Sequence, residues 1–152
     1  MANLLAGVPI TLKDGREINA SDHLKGKIVV LYFSASWCHP CRDFFPYIKE
    51  FYDRLAPYRN AVEVVLVSRD YMRFQLSEYY EKHGCSWAYI PLKHPIVNQL
   101  FQRYDVEALP TCLVVNSDGQ VIDGHAEHQV KEFVSRPIEL VERWRRTASA
   151  LC

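Results

Sequence analysis

Trp37-Cys38-His39-Pro40-Cys41 is the stretch of this chain whose residue types and spacing could do chemistry. Two cysteines at C-x-x-C spacing fall one turn apart if a helix starts at the first. They could then close a disulfide and reopen it as a dithiol. The unbroken apolar run Ile28–Phe33 precedes the motif, and Ser34-Ala35-Ser36 breaks it. Cys38 is thus expected in the first turn of a helix that leaves a buried strand. Unpaired backbone N–H groups and the positive end of the helix dipole favour a thiolate there. The thiolate is the nucleophile, so Cys38 is the expected attacking residue and Cys41 the shielded resolving one.

The residues between the cysteines are expected to tune the pair. Pro40 stiffens the first turn and removes one N–H from it. His39 can bring a hydrogen bond or a positive charge to the thiolate and make the couple more oxidising than glycine would. Half of a zinc site is the competing reading of C-x-x-C. Zinc needs about four ligands, and neither a second C-x-x-C nor an H-x-x-x-H is present, so no metal is expected.

The elements that must hold this motif follow from periodicity. Val8–Ile18 carries Asp14-Gly15 between short apolar stretches, a hairpin signal. Ile28–Phe33 is apolar on both faces and reads as a central strand. Phe44, Phe45, Ile48, Phe51, Tyr52 and Leu55 mark one face of the helix after Cys38, and Pro57 stops it. Val62–Val67 is the next strand. Met72, Leu76, Tyr79 and Tyr80 mark a second helix capped near Gly84. Ile96, Val97, Leu100, Phe101 and Tyr104 mark a third. Cys112–Val115 and Gln120–Ile122 flank the turn Asn116–Gly119. A final helix from about Pro137 is expected to turn Ile138, Val141, Trp144, Ala148 and Leu151 inward. The order βαβααββα after an N-terminal β-hairpin predicts an α/β fold, with a central mixed β-sheet flanked by helices on both faces. The whole chain, 1–152, is expected to be one domain.

Composition narrows the function classes. The 152 residues are 49% hydrophobic and carry 18 basic and 18 acidic side chains, a formal net charge of zero. That gives no general electrostatic footprint for nucleic acid or an anionic membrane. Arg143, Arg145 and Arg146 read as the solvated face of the last helix. The first residues lack the charge pattern of a secretory leader, and no stretch approaches a membrane span. Five cysteines, at 38, 41, 85, 112 and 152, form one close pair and three singles. This suits a reducing compartment, cytoplasmic or also nuclear. Cys112 reads as a buried strand residue, Cys85 as a more exposed thiol that still mostly packs, and Cys152 as a frayed terminal thiol. His83, His94, His125 and His128 read as surface or capping residues.

At Trp37-Cys38-His39-Pro40-Cys41 and Leu109-Pro110-Thr111 the chain resembles the thioredoxin superfamily. Tyr32–Cys38, Cys41-Arg42-Asp43-Phe44, Val67–Asp70 and Trp87–Leu92 resemble its tryparedoxin and nucleoredoxin branch. By periodicity alone Pro110 would only start a strand. The resemblance implies a thioredoxin fold with Pro110 cis and packed opposite the sulfurs. It also implies that Leu109 pairs with the substrate chain and that Trp37 belongs to the docking surface. Two departures stand out. Tyr32 occupies the place where thioredoxins proper carry a buried Asp, and His39 replaces a proline common in the branch.

Three functions fit these readings. The first is a thiol–disulfide oxidoreductase for protein or small-peptide disulfides. It would be recharged by a low-molecular-weight thiol or a reductase, would work as a monomer, and would need no cofactor of its own. NADPH would enter only through that partner, since no dinucleotide fingerprint is present. The second is a redox-regulated protein-binding module with little turnover. The third is an iron–sulfur or zinc carrier that uses Cys38 across a dimer.

Overall fold

The computed structural model describes residues 5–116 and 118–151. The hairpin strands β1 (Pro9–Thr11) and β2 (Glu17–Asn19) pair antiparallel around Gly15, whose φ of +88° is the left-handed conformation glycine tolerates. A short helix α1 (Ala20–His23) follows, with Asn19 as its N-cap. Next come β3 (Ile28–Ser34), α2 (His39–Arg54), β4 (Val62–Ser68), α3 (Arg73–Lys82), β5 (Ala88–Tyr89) and α4 (Pro95–Arg103). β6 (Thr111–Val115), β7 (Val121–Asp123), α5 (Ala126–Glu132) and α6 (Pro137–Ala150) complete the described chain.

The strands form one sheet in the order β2-β1-β5-β4-β3-β6-β7. β3 is parallel to β4 and antiparallel to β6, so the sheet is mixed. The pleat sends alternate residues of β3 to opposite faces. Ile28, Val30 and Tyr32 join Ile48, Phe51, Tyr52, Leu76, Leu140 and Trp144 beneath α2, α3, α5 and α6. Val29, Leu31 and Phe33 join Ala20, Ile96, Leu100 and Phe101 beneath α1 and α4. Both faces are therefore covered by helices, the architecture expected of an all-apolar central strand.

All six apolar positions expected on α2 are buried. Pro46 lies inside that helix. Having no N–H, it cannot bond the Arg42 carbonyl one turn back. Gly84 sits just past α3 with φ +65°, the cap position expected of it.

Three expectations need correction. Met72 does not share the buried face of α3. It precedes the first helical residue, with extended backbone, and is 51% exposed. Ile138 and Leu151 are exposed, and Leu140 takes the inward place on α6. Spacing alone left the phase of α6 ambiguous by one position, and packing against β7 and α2 decides it. α1, α5 and β5 are too short to impose a period on the sequence.

Candidate active site

β3 and β4 run parallel and end side by side, Ser34 opposite Ser68. The segments leaving these two ends build the site, as expected at the carboxyl edge of a parallel pair. After β3 the chain makes a tight turn in which the Cys38 N–H donates to Ala35 O at 3.2 Å. Cys38 then serves as the N-cap of α2, with φ −85° and ψ 114°. Its sulfur accepts the Cys41 N–H at 3.3 Å. Pro40 contributes no N–H in this first turn, so the Cys41 amide is the donor the turn offers to that sulfur.

Cys38 and Cys41 are joined as a disulfide, with Cα atoms 5.3 Å apart. Cys38 keeps 7% of its surface and Cys41 only 2%. Cys38, and not Cys41, lines the adjoining cleft of about 730 Å³. The Leu109–Pro110 peptide is cis, and Leu109 O lies 3.8 Å from Cys38 Sγ. Leu109 also packs on Ala35, Cys38 and Cys41. Trp37 is 48% exposed and stacks on Tyr71, ring centres 6.2 Å apart. The structure thus brings together Trp37, Cys38, Cys41 and Leu109, and Pro110 follows Leu109 through the cis bond. His39 points outward, its ring 83% exposed and 3.8 Å from the Asp43 carboxylate.

Sequence reasoning missed the residue that holds this loop. Asp70 is buried, and its Oδ1 accepts both the Ser36 N–H at 2.9 Å and the Ser36 hydroxyl at 2.6 Å. Its Oδ2 accepts the Ser68 hydroxyl at 2.7 Å. Arg42 Nε donates to Ser36 O at 3.0 Å from the other side. The signal for it is the polar Ser68-Arg69-Asp70 run that ends a buried strand. Arg69, Lys93 and Glu107 line the cleft with Cys38 and were also unassigned.

The other groups near the sheet are not poised for exchange. Tyr32 is buried, and burial pushes its phenol far above the ordinary range. It stays protonated and cannot replace a carboxylate as a base. Cys85 packs, as expected, and is less exposed than its place after the Gly84 cap suggests, at 3%. Burial pushes its thiol up to about 12. Cys112 is fully buried, and burial, with Glu127 and Asp123 nearby, pushes its thiol well above the usual value. Cys152 lies outside the described residues. His94 caps α4, its Nδ1 accepting the Ile96 N–H. Among the described residues no cluster of His, Cys, Asp and Glu could hold a metal ion. No helix among them is long and apolar enough to cross a membrane.

Residues 26–121 match a family model described as thioredoxin-like. Tryparedoxin of Trypanosoma brucei brucei is 37% identical over 134 residues, covering 87% of this chain and 90% of its own length. Probable nucleoredoxin 1 of Arabidopsis thaliana is 29% identical over 147 residues, and the chain spans only 25% of that longer relative. Among solved structures, tryparedoxin II complexed with glutathionylspermidine superposes with a TM-score of 0.75 at 30% identity, covering 89% of this chain and 91% of that one.

Proposed function

Because the chain belongs to the thioredoxin-like family and is a thiol–disulfide oxidoreductase, we propose that Cys38 attacks substrate disulfides and Cys41 resolves them. One observation carries this assignment. The disulfide caps a helix N-terminus, and of its two cysteines only Cys38 lines the cleft.

In the reduced form the Cys41 N–H and the α2 dipole hold Cys38 as a thiolate. Its sulfur bonds to one sulfur of the substrate, and the substrate's other sulfur leaves as a thiolate and takes a proton. Cys41 then gives up its proton and attacks Cys38 Sγ. The Cys38–Cys41 disulfide forms, and the second substrate thiol departs. Two electrons pass from the dithiol to the substrate. Tyr32 stays protonated, so it does not take the Cys41 proton.

Trp37 flanks the entering chain, and the backbone at Leu109 and Pro110 lies against it. His39 and Pro40 set the poise of the couple. Recharging by a low-molecular-weight thiol is supported by the related tryparedoxin II, whose solved complex holds glutathionylspermidine. A reductase carrying NADPH is the other donor of this class, and the chain itself needs no cofactor. The buried, unpaired Cys85 and Cys112 suit a reducing compartment, the cytosol or nucleus. The protein acts as a single-domain monomer in this scheme.

Insulin-disulfide reduction tests the assignment. Cys38→Ser should abolish it. Cys41→Ser should accumulate mixed disulfides with substrates, joined through Cys38. Turnover that survives Cys38→Ser would overturn the proposal. Near-absent turnover in the wild type, with partners still retained, would indicate a redox-switched binding module.

A further inference from the structure

Four of the eight exposed large hydrophobic side chains among the described residues are Trp37 and Tyr71, which line the cleft with Cys38, and Met72 and Phe74, which follow Tyr71 in the chain; they are 48% to 72% exposed. They leave on the order of 500 Å² of aromatic and thioether surface in water, the size at which a patch on a small protein usually has a use. Trp37 and Tyr71 are stacked, and the other two follow within three residues.

This surface is held in place. Asp70 ties its base to the active-site loop through Ser36. Gln75 Oε1 accepts the N–H groups of both Tyr71 and Met72 at 2.9 Å. A surface fixed in this way loses little freedom when covered.

The segment itself carries exposed charge of one sign. Between Arg69 and Leu76 the exposed charges are Arg69 and Arg73, while the single carboxylate, Asp70, is turned inward. Arg69 is held toward the cleft, its guanidinium 3.8 Å over the Phe101 ring. Lys93 adds a positive charge across the cleft, Glu107 a negative one, and Glu78 stands a turn further along α3.

We propose that Trp37, Tyr71, Met72 and Phe74 form a docking platform for disulfide-bearing polypeptide segments with apolar and acidic residues beside the cystine. The platform makes such chains better substrates than small disulfides or basic peptides. It rests on the oxidoreductase assignment above, with which it is continuous through Trp37. Methionine and aromatic side chains suit a surface that must accept many sequences.

Single-turnover oxidation of the reduced protein tests this. Two decapeptides each carry one cysteine blocked as a mixed disulfide with thionitrobenzoate, one flanked by Phe, Leu and Glu, the other by Gly and Lys. The symmetric aryl disulfide of the same thiol is the small-molecule control. The apolar acidic peptide should react about tenfold faster than the basic one. Met72→Ser/Phe74→Ser should erase that ratio and leave the small disulfide unchanged. Arg73→Glu should slow the acidic peptide and speed the basic one. Equal rates for the two peptides, or a ratio untouched by Met72→Ser/Phe74→Ser, would overturn the platform alone. So would a double variant that slows peptide and small disulfide alike. A wild type that reduces none of the three overturns the assignment it rests on, and the platform with it. A dimer in sedimentation that Met72→Ser/Phe74→Ser converts to monomer would give the surface to a second copy of the chain, against the proposal.

Discussion

The Asp70 carboxylate accepts the backbone N–H of Ser36, 34 residues earlier, at 2.9 Å. That bond joins the segment leaving β4 to the turn that presents Cys38. With the Ser36 hydroxyl on the same oxygen, one buried side chain sets where the active-site loop begins.

Asp70→Ala should therefore both destabilise the protein and slow exchange. It strands the half-buried Ser36 N–H and hydroxyl and the buried Ser68 hydroxyl, at a cost of about 2–3 kcal/mol. Asp70→Asn keeps an acceptor for Ser36 and should recover most of the stability. Urea unfolding of both variants, paired with insulin reduction, reads the two effects. Unchanged stability in Asp70→Ala would remove its structural role.

Cys85 gives a prediction in alkali. Its thiol is raised in the fold, so the folded protein holds that proton more tightly than the unfolded chain. The resulting stability is fully present below pH 9 and is lost as pH rises from about 9 to about 12. Cys85→Ala should cost about 1 kcal/mol at pH 8 through the void it leaves. By pH 11 the wild type should have lost on the order of 2 kcal/mol, a loss the variant, having no thiol there, does not undergo, and the order should reverse. Melting temperatures across that range check this, and a constant difference would refute it.

Alkylation should sort the cysteines. After reduction, iodoacetamide at pH 8 should modify Cys38 within minutes and Cys41 more slowly. Cys85 and Cys112 should stay protected until the protein unfolds, because both are buried and protonated. Peptide mass spectrometry gives the order directly. Early modification of Cys112 would contradict its burial.

Glu63 is buried at the opposite end of β4 from the redox centre. It accepts the Tyr52 hydroxyl at 2.7 Å and its neighbour's Val64 N–H at 2.9 Å, and meets His23 Nε2 at 2.7 Å. Glu63→Ala should cost about 3 kcal/mol, since it leaves these donors buried without an acceptor. The Cys38–Cys41 potential should not change. His39→Gly should do the reverse, lowering the potential by about 20 mV, which is roughly 1 kcal/mol for two electrons, with little effect on unfolding. Equilibration against glutathione buffers measures both. A potential unmoved by His39→Gly would end its tuning role.

The strand and long-helix framework was legible because β3, β4, α2 and α4 are long enough to impose a period. Phe44 through Leu55 and Ile96 through Phe101 announce their faces without ambiguity. The dithiol was legible because its chemistry needs two cysteines at one spacing. Asp70 was not, because a carboxylate becomes an anchor only once Ser36 and Ser68 are folded onto it. Met72 was misplaced because a methionine fits both a helix face and a surface. Cys85 packs as expected, but more deeply than its place after a helix cap suggests, because the chain there turns into the core.

Pro46 gives α2 a mechanical division. The rung between residues 42 and 46 is missing, and core side chains hold the helix on both sides of the gap, Phe44 and Phe45 before it and Phe51 and Tyr52 after it. The two sulfurs must move apart each time their bond is cut and together each time it is remade. Phe44 and Phe45 pack the segment before the gap into the core, so the displacement falls on the first turn, which carries the sulfurs.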